Sequence, residues 1–231
     1  MVLLLSLAAL ALAPVAQAAA QPAGATAPAP AADGSVERAA ELIKDGKPAD
    51  ALPLLDGLIA QFEKGHPATG KTMVFSASNL AQTIYYSGIS AALKRDGIVV
   101  DGNWALAYFL KGFALVDLNR SDEALACFDR AIALSPADSQ YLAERGEWYK
   151  SHKQWDKAFA DFKAAADWAN LSDDSFQARN KSRGLRGMGF VRIEQGDLKE
   201  AEKLFRQSLE VEPRNANALS ELDYIKSLKS R

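Results

Sequence analysis

Apolar and small residues recur with helical spacing along most of this chain. Ala124, Phe128 and Ala131 stand at positions i, i+4 and i+7, which places them on one face of a helix. Pro136 follows and cannot continue the helical hydrogen bonds, while Asp138 is placed to accept hydrogen bonds from the first turn of a new helix. The pattern predicts two consecutive helices that meet at a short turn.

The same spacing returns 34 residues later. At this offset glycine meets glycine, phenylalanine meets phenylalanine and the two alanines recur, at Gly112/Gly146, Ala124/Ala158, Phe128/Phe162 and Ala131/Ala165. A third copy follows after nine further residues, 173–181, and contains Gly189, Ala201, Phe205, Ser208 and Pro213. A fixed period of this length is typical of stacked helical pairs, in which each pair buries its apolar face against its neighbours.

The units 105–138, 139–172 and 182–215 resemble tetratricopeptide (TPR) repeats. The first unit shows the family's pattern as Tyr108, Gly112, Leu115, Ala124, Phe128, Ala131 and Pro136. The second shows Leu142, Gly146, Tyr149, Ala158, Phe162 and Ala165, and the third shows Leu185, Met188, Gly189, Ala201, Phe205 and Pro213. The departures are Lys111 and Arg145 at the leucine position, Arg192 at the tyrosine position and Asn170 in place of proline. The resemblance implies an all-α, right-handed α-solenoid.

Weaker units flank the three clear ones within a TPR domain predicted over residues 35–231. Residues 32–65 keep the frame through Ala39, Leu42, Gly46, Ala51, Leu55 and Leu58. Residues 66–104 are interpreted as a degenerate unit with a helical run at about 72–94, and residues 173–181 as an insertion between units. The tail 216–231 carries an apolar stripe and is expected to be a C-terminal capping helix, with Leu219, Leu222, Ile225 and Leu228 on one side.

The N-terminal segment differs from the rest in composition. Residues 1–18 contain an apolar run followed by Ala16-Gln17-Ala18, which is typical of a secretory signal peptide cleaved after Ala18, although no Lys or Arg precedes the run. A buried N-terminal helix is the alternative. The Ala/Pro-rich residues 19–34 are expected to form a disordered linker. We therefore expect a periplasmic or secreted protein that does not insert into the membrane after cleavage and whose single cysteine, Cys127, forms no internal disulfide.

Charge and motifs exclude several classes of function. The chain has 231 residues and a net charge of −2, without the basic character of nucleic-acid binders. Residues 65–72, GHPATGKT, match a phosphate-binding loop, and Asp101 ends the run IVVD; a turn between repeats is the competing interpretation. GLRGMG at 184–189 is read as close helix packing, while His66 and His152 lack metal-ligand spacing. No catalytic residue, cofactor or metal is predicted.

In TPR proteins the first helix of each pair lines a concave groove. The resemblance carries a binding surface over to Leu106, Phe109, Phe113, Val116, Glu147, Lys150, Arg183, Arg186, Phe190 and Ile193, with Gln140 and Ala143 between them. The surface runs from apolar to basic, which suits a peptide or helix with an apolar anchor and an acidic end. Two alternatives stay open: the preceding unit covers the first aromatic residues, or the arginines are solvated surface charges.

The expected function is a non-enzymatic protein-interaction module. Its mechanism would be burial of the partner's apolar side chains in the groove, with charges setting orientation. A self-assembling structural protein that stacks through the ends of its solenoid is the second hypothesis. A nucleotide-binding protein that uses residues 65–72 is the third.

Overall fold

The computed structural model describes residues 34–67, 70 and 72–230. The predicted signal peptide and nearly all of the predicted linker lie outside the described residues. Within the described residues, ten α-helices and two short strands follow one another in the order α1 (Ser35–Lys44), α2 (Pro48–Gly65), β1 (Met73–Ala77), α3 (Leu80–Ala92), β2 (Gly97–Asp101), α4 (Asn103–Asp117), α5 (Ser121–Leu134), α6 (Ser139–Ser151), α7 (Trp155–Asp167), α8 (Asp174–Glu194), α9 (Leu198–Val211) and α10 (Ala216–Lys229). A 3₁₀ turn, Ala169–Leu171, precedes α8.

Four helical pairs, α1/α2, α4/α5, α6/α7 and α8/α9, stack into the α-solenoid that the sequence predicts. Helix α5 ends at Leu134, two residues before Pro136, and the carboxylate of Asp138 accepts hydrogen bonds from the backbone amides of Gln140 and Tyr141 at the start of α6. The predicted turn chemistry between these repeats is therefore confirmed.

Glycine and phenylalanine form the tightest contact inside each clear repeat. A Cβ atom on Gly112 would lie 2.5 Å from a ring carbon of Phe128, and one on Gly189 would lie 2.8 Å from Phe205. Gly187 and Gly184 meet Phe162 and the backbone of α7 in the same way, at 2.4 and 2.6 Å. GLRGMG is thus a close-packing segment, since any larger side chain would push the two helices apart.

Residues 66–104 do not form the degenerate helical unit that the sequence suggests. Residues 73–77 form strand β1, α3 begins only at Leu80, and β2 pairs with β1 in parallel, with Phe75 opposite Val99. We call residues 73–101 the β-α-β insertion. Helix α2 packs directly on α4, so the solenoid continues without a break beneath the insertion. The helical prediction failed because short apolar runs such as MVFSA and GIVVD fit a strand as well as a helix.

The β-α-β insertion is attached to the solenoid through buried polar contacts. The ring of Phe75 stacks on that of Tyr86, whose hydroxyl accepts from the amide of Ala137 at 3.2 Å and lies 3.1 Å from Ser135 Oγ. Ser135 Oγ donates to the carbonyl of Ser76 at 2.9 Å. These bonds satisfy polar groups that packing removes from water, and they hold the insertion against the α5–α6 turn.

The start of α8 and the C-terminal helix α10 also differ in detail from the prediction. Residues 174–181 are not an insertion between units but the first two turns of the long helix α8. Helix α10 packs on α9 as a terminal cap through Ala218, Leu222 and Ile225. Leu222 and Ile225 of the predicted stripe face α9, whereas Leu219 lies off that face with 47% exposure. No described helix has the length and apolar character of a membrane span.

Candidate functional site

A concave cavity of about 1080 Å³ lies on the inner face of the solenoid. Helices α4, α6 and α8 line it, the β-α-β insertion borders one end and α10 borders the other. The lining residues include Ser78, Asn79, Gln82, Asp101, Gly102, Leu106, Asp138, Gln140, Glu147, Lys150, Phe176, Arg179, Asn180, Arg183, Arg186, Phe190, Asn217 and Glu221. We refer to it as the inner groove.

One face of α8 supplies the most regular wall of the inner groove. Phe176, Arg179, Arg183, Arg186 and Phe190 follow one another at steps of three or four residues and all line the cavity. The first and last are fourteen residues apart, which is about 21 Å along a helix. The wall therefore presents an aromatic ring at each end and three guanidinium groups between them.

The three arginines are in different electrostatic states. Arg183 forms an ion pair with Glu144 on α6 at 2.5 Å, and Arg186 contacts Glu212 at 2.9 Å and Ser182 Oγ at 2.6 Å. Arg179 is exposed and forms no ion pair with any described residue. Contrary to the expectation of two available arginines, Arg183 and Arg186 are already paired, and Arg179 offers the groove's unpaired guanidinium.

Charges on the opposite wall come from α6 and α10. Lys150 forms an ion pair with Glu147 and places its ammonium 4.8 Å from the centre of the Phe190 ring, a cation–π contact. Glu221 on α10 lines the same region, and its burial raises the pKa of its carboxyl, although the charge of Lys150 opposes that shift. This wall is polar and close to balanced in charge.

The β-α-β insertion contributes Ser78, Asn79, Gln82 and the exposed carboxylate of Asp101 to the groove, next to the buried carboxylate of Asp138 at the start of α6. Gln82 Nε2 donates to Asp138 Oδ2 at 3.0 Å, and Asn79 Nδ2 donates to the carbonyl of Leu171 at 2.9 Å. Burial raises the pKa of Asp138, while hydrogen bonds from Gln82 and the α6 amides act against the shift. The insertion is thereby tied to both the α5–α6 and the α7–α8 connections.

Several predicted groove residues lie elsewhere. Phe109 is 2% exposed and packs on Tyr141 with ring centres 4.5 Å apart, so it belongs to the core, with Phe113 edge-on against it. Val116 is exposed but lies outside the cavity, and Ile193 packs into the α9–α10 core. The aromatic residues are covered because the next repeat, rather than the preceding one alone, closes over them.

The prediction from the sequence did not include the groove residues of the β-α-β insertion or of the first two turns of α8, residues 174–181, which we call the α8 extension. Phe176 and Arg179 fall in the nine residues that interrupt the 34-residue frame, and Asn79 and Gln82 fall in the segment 66–104 that the sequence predicts to be a degenerate unit. The signal was present in the spacing of Phe176, Arg179, Arg183, Arg186 and Phe190, which keeps one helical face across the supposed insertion.

The other candidate motifs gain no support from their context. The phosphate-loop match follows helix α2 and precedes strand β1, the reverse of the strand–loop–helix order that cradles phosphates, and Lys71 lies outside the described residues. Cys127 is buried, which raises the pKa of its thiol and keeps it protonated. Among the described side chains, no three His, Cys, Asp or Glu residues come together as metal ligands.

Comparison with family models matches two segments of the chain. Residues 105–138 and 188–215 each match the tetratricopeptide repeat. This chain carries TPR repeats. The matched segments correspond to α4–α5 and to the end of α8 with α9, and the TPR pattern of α6–α7 lies between them. No curated protein sequence is significantly similar to the chain.

Two solved structures share the fold over most of the chain, and a third resembles part of it. PilF of Pseudomonas aeruginosa is 12% identical with a TM-score of 0.59, and the match covers 86% of this chain and 69% of that one. A double mutant of RS-1 MamA is 14% identical with a TM-score of 0.55, over 86% of this chain and 84% of that one. The first TPR of Spaghetti (RPAP3), solved with the HSP90 peptide SRMEEVD, is 25% identical over 55% of this chain and 94% of that one, with a TM-score of 0.47.

Proposed function

We propose that this protein is a non-catalytic interaction module that binds a segment of another protein in the inner groove. The observation that supports the proposal is the face of α8, where Phe176 and Phe190 bracket three arginines along the cavity wall. Phe176 is 48% exposed and lines the cavity, so its ring is accessible to a ligand there. Aromatic rings and arginines are the residues that most often dominate binding energy in protein interfaces.

The spacing of the side chains on the α8 wall indicates the length and the chemistry of the ligand. A fully extended segment advances about 3.3 Å per residue, so six or seven residues span the roughly 21 Å between the two rings. Apolar side chains at the ends of the segment would contact the rings, and a carboxylate between them would pair with Arg179. Because Arg183 and Arg186 keep donors beyond those used in their ion pairs, they can also donate to ligand oxygens.

Selection from a random heptapeptide library on the immobilised full-length protein tests the groove directly. We expect the enriched peptides to combine acidic residues with apolar ends, and Phe176→Ala with Arg179→Glu to weaken their binding by roughly tenfold or more. Both side chains are exposed, so circular dichroism and thermal unfolding should stay unchanged.

Lys181→Glu is the matched control. It reverses a charge on the same helix at an exposed position outside the cavity, and it should leave peptide binding within about twofold. Failure to enrich any peptide, or equal binding by the double variant, would show that the inner groove is not the binding surface.

We propose further that the protein works outside the cytoplasm, in the periplasm or after secretion. The proposal rests on the composition of residues 1–18, which lie outside the described residues. A TPR module that rests on packing alone, without a disulfide, is compatible with such a compartment because stacked apolar faces do not depend on redox conditions.

A further inference from the structure

The β-α-β insertion has one covered side and one open side. Strand β1 packs against α4 and α5, whereas β2 is the outer strand of the sheet. Apart from the ladder to β1, the described chain makes no backbone hydrogen bond to residues 97–101 along the far edge of β2. Gly97 and Ile98 are exposed there, Ile98 to 40%. A strand edge of this kind is a template for pairing with another strand.

Helix α3 carries an exposed apolar face above the same sheet. Its residues 80–92 contain no charged side chain, and Leu80 and Ile84 are 73% and 65% exposed, with Leu93 just beyond the helix at 56%. Tyr85 marks the side of α3 that faces the solenoid, because its ring packs on Trp168. At 100° per residue, Ile84 and Leu80 lie roughly 100° and 140° away from Tyr85, and so face away from the solenoid.

We infer that a second copy of this chain occupies this surface. The two β2 strands pair antiparallel about a two-fold axis at Val99 and make a four-stranded sheet, β1-β2-β2-β1, with both α3 helices side by side on one face. A two-stranded sheet is smaller than sheets usually are, and the pairing gives it the width that stable sheets have. The surface is separate from the α8 wall, so the inference does not depend on peptide binding in the inner groove.

Self-complementarity is the reason for a second copy instead of another protein. The two-fold axis sets Val99 opposite itself, Ile98 opposite Val100, and Gly97 opposite Asp101 of the second copy. Arg95, which is exposed, then lies diagonal to the second copy's Asp101, an opposite charge. No like charges meet.

The helices complement each other in the same arrangement. In an antiparallel pair of α3 helices, the exposed face of Leu80 and Ile84 on one copy contacts the same face of the other copy. The contact comprises one helix of about 20 Å and one strand of about 17 Å from each copy, which is small for a stable dimer. We therefore expect a reversible dimer with a dissociation constant on the order of micromolar to tens of micromolar.

Cysteine cross-linking tests the pairing and its register. In a Cys127→Ala background, Val99→Cys places two thiols on directly opposite residues, about 5 Å apart at Cα and within reach of a disulfide. Ile98→Cys is the matched control, because its two copies are offset along the strands to about 8 Å, beyond disulfide reach. On oxidation with copper phenanthroline we expect the Val99→Cys dimer to form roughly tenfold faster than the Ile98→Cys dimer. Equal rates, or a faster Ile98→Cys dimer, would overturn the inference.

Sedimentation over about 1 to 200 µM gives an independent measure without a cross-link. The wild-type protein should pass from monomer to dimer across this range, and Ile84→Glu and Ile84→Lys should each stay monomeric with unchanged circular dichroism. An equimolar mixture of the two variants should recover the dimer, since the charges oppose each other across the helix pair. A wild-type protein that stays monomeric throughout, or a mixture that does not associate, would show that no second copy binds here.

Discussion

Individual glycine residues set how closely the helices of each repeat approach. Gly112, Gly146 and Gly189 stand opposite Phe128, Phe162 and Phe205, in contacts where an added Cβ would lie at or below 3.0 Å from the ring. The same residue type has another role at Gly46, whose φ of +72° lies in the α1–α2 turn. The regular spacing of glycine and phenylalanine in the sequence therefore reflects steric contacts between the two helices of each repeat.

Alanine substitution of a packed glycine and of an open one should distinguish the effect of packing on stability from the effect of helix propensity. Gly112→Ala is expected to lower the free energy of unfolding by about 1–3 kcal/mol, because the new methyl group forces the Phe128 ring out of place. Gly57→Ala in the middle of α2 meets no atom within 4 Å and should raise it by about 0.5–1 kcal/mol through helix propensity. Urea unfolding measures both, and equal effects of the same sign would contradict the packing argument.

At the scale of elements, the β-α-β insertion and the α8 extension shape the inner groove. Neither follows the 34-residue frame. Hydrogen bonds between segments distant in sequence hold the insertion, from Gln82 to Asp138 and from Asn79 to Leu171, whereas Gln177 and Asn180 hold the start of α8 locally through Ser172. Asp138 has two tasks, since it caps α6 and anchors α3. Its burial makes this link sensitive to pH.

The raised pKa of Asp138 predicts how the link responds to pH. A carboxyl with a higher pKa in the folded chain binds more protons when folded, so its stabilising contribution is complete below its ordinary pKa of 3.8 and declines as pH rises towards the folded pKa. Asp138→Asn keeps an effective cap without a titrating group. The stability of the wild type relative to this variant should therefore fall as pH increases above about 4.

Chemical unfolding of both proteins across that pH range measures this difference. Glu221, whose pKa is also raised, is present in both proteins and cancels in the comparison. A difference that stays constant with pH, or that grows as pH rises, would contradict the assignment of a burial-raised pKa to Asp138.

At the scale of the whole molecule, an open solenoid becomes a groove with two borders. The β-α-β insertion closes the end next to the first repeats and α10 closes the end next to the last, while the stacked pairs between them supply the floor. In the proposed function these borders limit the length of the bound segment, and the surface proposed for a second copy lies on the outer side of the insertion.

Export of the protein can be tested by measuring the mass of its mature form. Expressed from its full reading frame in its own host, the protein should be recovered from the cell envelope or medium with the mass of residues 19–231, because Ala16-Gln17-Ala18 matches the small-residue cleavage pattern. A variant with Ala18→Arg should accumulate in the uncleaved form. Recovery of the wild type in the cytoplasm with residue 1 retained would contradict the export proposal.

Local sequence determined the helical pairs, the turn at Pro136, the cap at Asp138 and the small-residue contacts, because each depends on residues within one repeat period. The sequence alone could not separate strand from helix in MVFSA, where only packing on α3 and α4 decides. It also left open which aromatic residues face the groove. Phe109 is buried and Phe176 is exposed because contacts between repeats, distant in sequence, determine which face each helix turns inward.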